Sequence, residues 1–272
     1  MTIQQAVEQQ IELEKQFSKN QLLPRMRHYF LVEAETDYPT YIKEHMDLDF
    51  GIDFLVQMAL HKRCDLQTMY GLMRHHFKDD PQACVNGLLL AVEKDLADYD
   101  LDINTFIVKF ELPPELQAEL DLFQYPLPMV VKPAEVVTNR DTGYLTNKGS
   151  IILKKNHHDN DVCLDHINRM NSIKLALNMD VVKFVSNSWK NLDRPKPGEL
   201  GEDFQKRRKA FAKYDKTAKQ VADILNENSD HFYLTHKYDK RGRTYCQGYH
   251  ITYQGNDWNK AAVEFYDREY VI

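Results

Sequence analysis

Apolar residues recur three or four positions apart over most of the first hundred residues. Ile3, Val7, Ile11 and Phe17, with glutamates and glutamines between them, predict an amphipathic helix. The same period predicts helices over 52–61, 66–77 and 82–97, so residues 1–125 read as an N-terminal helical domain. Pro113-Pro114 ends that pattern. Pro126, Pro128 and Pro133 predict an extended connector over 126–163, because a proline also pushes the residue before it towards extended backbone. Helical spacing returns with Leu164, Ile167, Met170, Ile173, Leu177, Val181 and Phe184, which predict one long helix ended at Pro195-Lys196-Pro197-Gly198. A further helix over 203–228 carries Phe204, Phe211, Tyr214, Ala218, Val221 and Leu225 on one face, with Asp203 expected to cap its free N–H groups. Residues 164–229 therefore read as a helical hairpin.

From residue 230 the pattern changes. Phe232, Leu234 and Tyr238 set against Thr235 and Lys237 predict a strand, and 244–253 its return. Between them Asp239-Lys240-Arg241-Gly242 has the chemistry of a turn: Asp239 can accept from an N–H two residues on, and Gly242 can take a positive φ. Arg241 and Arg243 flank the glycine and are expected on different sides of the ribbon, where a planar guanidinium can grip two phosphate oxygens. After Lys260, residues 261–266 and Tyr270-Val271-Ile272 predict an apolar helix with nothing after it to cover it, a surface expected to seek a partner. The fold class expected is mainly α with a few short antiparallel strands.

Composition fits a folded protein: 43% of residues are hydrophobic and 11% aromatic, with only ten glycines and ten prolines in 272 residues. No apolar run approaches the ~20 residues of a membrane-spanning helix, and the start lacks a signal-like pattern, so no membrane partner is expected and the protein reads as soluble and intracellular. Cys64, Cys84, Cys163 and Cys246 lie far apart and are expected to stay reduced. His61 with Cys64, His75 with His76, and His157-His158-Asp159 fall short of the convergent set a zinc ion needs, and adjacent histidines on a helix are expected to face different ways, so no metal is expected on this chain.

Charge is uneven. Residues 1–125 carry 11 Lys and Arg against 22 Asp and Glu, a net of −11, whereas residues 190–243 carry 14 against 9, a net of +5. The helix over 203–228 places Lys206, Lys209, Lys213 and Lys216 roughly opposite its apolar stripe, since two residues turn the helix by about 200°. A lone lysine stripe is usually only a solvated face; next to the arginine turn it suits a nucleic-acid backbone, where binding releases counterions.

The string Asp239-x-Arg241-Gly242-Arg243-x-Tyr245, followed by Gln254-Gly255-Asn256-Asp257-x-x-Lys260, resembles the palm of the single-subunit RNA polymerases of lytic phages and mitochondria. Pro128-Met129-Val130-Val131-Lys132-Pro133 and Gly143-Tyr144-Leu145 are similar to that family's connector, departing from it at Lys132, Ala134 and Thr142. The helix expected from Leu164, with Asn168, Asn171 and Asn178, is similar to half of its thumb. The resemblance covers 126–272 and implies a thumb-like hairpin over 164–229 and the first part of a right-hand palm over 230–272. It implies that Arg241, Arg243 and Tyr245 adjoin template DNA and the RNA–DNA hybrid, that Lys260 meets template phosphate, and that Asp239 and Gly242 support the site. Family members hold two Mg2+ ions on palm carboxylates that come later in sequence, and twelve residues follow Lys260 here. The resemblance therefore implies the smaller, N-terminal subunit of a split bacteriophage DNA-directed RNA polymerase. It would bind no cofactor itself, with Mg2+ on a larger catalytic subunit, in the cytoplasm of the infected bacterial host. The short N-terminal part implies weak promoter recognition and a promoter-recruiting or DNA-melting factor as a further partner. The alternative is a non-catalytic single-stranded nucleic-acid-binding or polymerase-regulating protein.

Overall fold

The computed structural model describes residues 2–153, 157–190 and 192–267. They are mainly helical with a few short antiparallel strands, and fall into two units: residues 18–124, and residues 2–17 together with 125–267. Among the described residues no helix is long and apolar enough to cross a membrane.

Helix α1 (Ile3–Gln16) begins at a capping box, in which Thr2 and Gln5 satisfy one another's free N–H groups. The periodicity had placed Ile3 and Val7 inward, yet both are exposed; the buried face is Gln10, Leu13, Glu14 and Phe17. Polar residues occupy it because the segment they meet has backbone donors to satisfy. Gln10 Oε1 accepts from Val130 N at 2.8 Å. Glu14 accepts from Leu145 N at 2.8 Å, Thr146 N at 2.6 Å and Asn147 N at 3.3 Å, and from the Thr146 hydroxyl at 2.6 Å.

The unit 18–124 is built around α4. Its helices are α2 (Lys19–His28), α3 (Tyr38–His45), α4 (Leu48–His61), α5 (Leu66–Met73) and α6 (Pro81–Glu93), with α7 (Pro114–Phe123) following two strands. Asp47, Asp65 and Asp80 cap α4, α5 and α6, each through a side-chain oxygen on a first-turn N–H. Helix α4 buries Phe50, Phe54, Leu55, Met58 and Ala59, and Phe54 meets Phe106 edge to face with centroids 5.8 Å apart. Phe106 lies on β3 (Thr105–Ile107), the middle strand between β1 (Arg63–Asp65) and β2 (Asp98–Asp100), both antiparallel to it. The helix expected to run to residue 97 stops at Glu93, because Asp95 takes a φ of +61° and redirects the chain into β2.

In the other unit, stretches at Met129 and at 151–153 pair with the segment that becomes the hairpin. Met129 and Tyr233 exchange both backbone hydrogen bonds, at 2.9 and 2.7 Å, and Leu153 N and Tyr238 N bond Tyr238 O and Ile151 O at 2.8 and 2.7 Å. Val136, Ile151, Ile152, Ile167 and Tyr238 close a small core beneath it.

The single long helix expected over 164–189 does not form. Helix α8 (Leu164–Asn171) ends at Ser172, β4 (Leu175–Leu177) follows, and α9 (Met179–Phe184) restarts with Asn178 Oδ1 capping Val181 N at 3.1 Å. The break is stabilised from outside the segment: Leu175 exchanges backbone hydrogen bonds of 2.9 and 2.8 Å with Phe232. The second arm is the long α10 (Gly201–Asn228), whose buried face is Phe204, Thr217, Ala218, Val221, Ala222 and Leu225. Its N-cap position is Leu200; Asp203 sits inside the first turn, where its charge still complements the helix dipole, rather than capping it.

The hairpin strands are β5 (His236–Tyr238) and β6 (Thr244–Cys246). The apolar helix expected beyond Lys260 is also corrected. Helix α11 (Asp257–Ala262) stops at Ala262, and β7 (Val263–Phe265) pairs antiparallel with β4, Leu175 facing Phe265 and Leu177 facing Val263. Val263 and Phe265 suit a strand, and pairing satisfies the exposed backbone of β4. Tyr270, Val271 and Ile272 lie outside the described residues.

Candidate nucleic-acid interface

In the hairpin, His236 faces Cys246, Lys237 faces Tyr245 and Tyr238 faces Thr244. The turn closes with Gly242 N on Asp239 O at 3.0 Å and Asp239 N on Arg243 O at 2.9 Å. Gly242 has a φ of +79°, the left-handed conformation that the turn chemistry predicts. A Cβ there would meet nothing within 4 Å, so Gly242→Ala should cost only its backbone strain, about 1 kcal/mol. The denaturation midpoint reads this directly; an unchanged midpoint would show that the turn does not need the left-handed residue.

Asp239 is the hub. Its Oδ1 accepts from Arg241 N at 2.8 Å and Arg243 N at 3.0 Å. Its Oδ2 receives Arg243 Nε at 2.8 Å and the Tyr245 hydroxyl at 3.4 Å, and forms ion pairs with Arg243 Nη2 at 2.7 Å and Arg241 Nε at 3.5 Å. The two arginines thus meet one carboxylate, which corrects the expectation that they part to opposite sides; both lie on a tight reversal, not an extended ribbon, and its left-handed Gly242 turns them back onto Asp239. Burial alone would raise the Asp239 carboxyl, but hydrogen bonds from Arg243 and its charge outweigh that and hold the pKa below the ordinary carboxylate value. The same pairing raises Arg243. Both guanidiniums remain more than half exposed, and Arg243 lies 5.7 Å from the centre of the Tyr245 ring.

The second half of the motif braces the first. Gln254 Oε1 accepts from Cys246 N at 2.7 Å and Gln254 Nε2 donates to Thr244 O at 3.2 Å, so one side chain does for β6 what a neighbouring strand would do. Asn256 caps α11 through Asn259 N at 2.9 Å, and its Nδ2 donates to Asn187 Oδ1 at 2.7 Å and Ser188 O at 3.1 Å. A Cβ at Gly255 would lie 2.3 Å from Asn259 Oδ1, so a side chain there would disrupt the cap. These bracing roles of Gln254 and Asn256, and the contact of Asn256 with residues 187–188, are not visible in the spacing of the motif.

The structure gathers Arg241, Arg243 and Tyr245 on Asp239. Lys260 stands apart on α11, exposed and 3.4 Å from Asp257, and Lys206, Lys209, Lys213 and Lys216 are exposed along α10. In the unit 18–124, His75 and His76 do not face different ways: residues 74–77 form a 3-10 turn that sets their rings 4.1 Å apart, with Asp53 close by. Asp53 already accepts from Arg27 and from His76 Nε2 at 2.9 Å.

No protein-family model matches the chain. It is similar to a probable DNA-directed RNA polymerase of Agaricus bitorquis, 26% identical over 174 residues that cover 54% of this chain and 16% of that protein. It is also similar to one of Podospora anserina, 27% identical over 176 residues that cover 53% of this chain and 19% of that protein. The chain thus spans less than a fifth of the length of these curated relatives. The similarity supports a relationship to DNA-directed RNA polymerases.

Proposed function

We propose that this chain holds template DNA and the RNA–DNA hybrid beside the active centre of a single-subunit-type RNA polymerase. The observation that carries this reading is the Asp239-braced hairpin, in which two half-exposed guanidiniums are fixed on one carboxylate at a rigid turn. Two of the five N–H donors of Arg243 are spent on Asp239, and the fork keeps donors for a phosphate. Prior fixation lowers the entropy lost on binding, which suits a positioning role: the arginines order the strand while carboxylates elsewhere do the bond chemistry. Asp239 itself is matched to arginine donors rather than to a divalent cation. Tyr245 joins the same cluster, Lys260 is assigned to template phosphate, and the α10 lysines to the backbone along the flank.

In its finer form the reading makes this chain the smaller subunit of a split, two-chain phage enzyme working in the cytoplasm of the infected bacterium. A larger partner subunit would contribute the fingers and the carboxylates that hold Mg2+, and a recruiting or melting factor would help at promoters. The test is a pull-down of the tagged chain from infected or co-expressing cells, followed by Mg2+-dependent ribonucleotide incorporation on a single-stranded template. Recovery of a larger chain with activity that neither has alone supports the reading. A chain that binds single strands with no partner supports the non-catalytic binding protein instead. In the assembled enzyme Arg243→Ala should slow elongation about tenfold while leaving assembly intact, the loss of one charge-assisted phosphate contact. Normal elongation by that variant would remove the hairpin from the site.

A further inference from the structure

The chain has two tryptophans, Trp189 and Trp258, and both line one cleft of about 620 Å³. Lys190 and Lys260 line it too, together with Ser186 and Ser188. Its walls are the segment after α9 and the start of α11, about seventy residues apart in sequence and clamped by the two Asn256 hydrogen bonds to Asn187 and Ser188. Trp189 is held by α10, its ring 5.2 Å from that of Phe211 and 5.3 Å from that of Tyr214, while 39% of the residue stays exposed. Trp258 is buried beneath.

An indole fixed by neighbouring rings yet still accessible is a stacking platform whose ordering cost has already been met within the fold. Two ammonium groups beside it match a phosphate, and two hydroxyls can donate to or accept from base edges or phosphate oxygens. The ion pair of Lys260 with Asp257, at 3.4 Å on the surface, is weak and screened by solvent, so it can give way to a phosphate. An apolar ligand would leave both lysines unused, and in a duplex the bases are already stacked on each other.

We propose that this cleft takes one unpaired nucleotide of a single strand, its base stacked on Trp189 and its phosphate between Lys190 and Lys260. This rests on the reading of the chain as a nucleic-acid-holding part of a polymerase and adds a second contact point beyond the arginine hairpin. Every base has a π-face, so binding is tolerant of sequence. Trp189 and Lys190 thereby join Lys260 as residues that position the strand.

Because both tryptophans lie in the cleft, the intrinsic tryptophan fluorescence of the full chain reports its occupancy. Titration with oligo-dT or oligo-rU should quench that emission, and a dinucleotide, short enough to fill the cleft alone, should quench it at higher concentration. Trp189→Ala should weaken oligonucleotide binding, followed by anisotropy, about tenfold, within the range expected for one lost base stack. Lys190→Glu, on an exposed side chain, should weaken it without touching the aromatic packing, which guards against a folding defect in the first variant. Oligonucleotides that bind by anisotropy with unchanged emission, and equally well to both variants, overturn the cleft and leave the hairpin reading standing. No single-strand binding by the wild-type chain overturns both.

Discussion

Replacing Glu14 by alanine should lower the unfolding free energy by about 3 kcal/mol. The carboxylate is buried and accepts from the backbone N–H groups of Leu145, Thr146 and Asn147 and from the Thr146 hydroxyl, and Gln10 Nε2 donates to it at 3.0 Å. Removal leaves several part-buried donors without that acceptor, each costing at most the ~1–3 kcal/mol of a fully buried unpaired group, because water reaches the exposed residues Leu145 and Thr146. Partial relaxation keeps the total near the figure given. In thermal unfolding this corresponds to a fall of roughly 6–12 °C for a unit of this size. Glu14→Gln keeps one acceptor and the side chain's shape and should lose about half as much. Hydrogen exchange adds a local reading: the amides of Leu145, Thr146 and Asn147 should lose protection before those of α4. An alanine variant with wild-type stability and protection would show that α1 is not held to the 142–147 loop by this residue.

Acid should destabilise the protein through His236. This side chain is buried, with Nδ1 2.9 Å from Asn171 Oδ1 and Nε2 2.6 Å from the Tyr253 hydroxyl, an arrangement that suits the neutral ring with its proton on Nδ1. Burial, assisted by the charge of His166, pushes its pKa down to about 4 from an ordinary 6.5. The unfolded chain therefore binds more protons than the folded one between these two values, and stability falls as pH falls. The loss is absent above about pH 6.5, grows through the window down to about pH 4, and reaches about 3 kcal/mol below it. Denaturant unfolding at several pH values in that window, compared with His236→Gln, isolates the effect from that of the carboxylates. Parallel pH profiles for the two proteins would exclude His236 as the source.

The parts of the fold that were legible in sequence are those whose cause is local. Helices α4, α5 and α6 follow from apolar spacing, and the structure adds Asp47, Asp65 and Asp80 as caps at their starts. The turn at 239–242 follows from one carboxylate and one glycine, and the structure finds both in the roles their chemistry allows. The misplaced elements share a different cause. Ile173 and Leu177, four apart, fit a helical period as well as a strand, and β4 was decided by Phe232 and β7. Likewise 263–265 could continue α11 until β4 offered it a partner.

The candidate site divides in the same way. Asp239, Arg241, Gly242, Arg243 and Tyr245 stand close enough in sequence for their grouping to be read from it, although the shared carboxylate that puts both arginines together was not. The cleft between Trp189 and Trp258 joins segments far apart in sequence, bridged by an asparagine reaching across. By itself the sequence determined the helical class and the arginine turn, because each depends on residues within one turn of chain. The long-range strand pairings such as β4 with β7, the polar face of α1 and the tryptophan cleft were decided only by tertiary structure, because a backbone donor or an edge strand is satisfied by whatever distant group the fold brings to it.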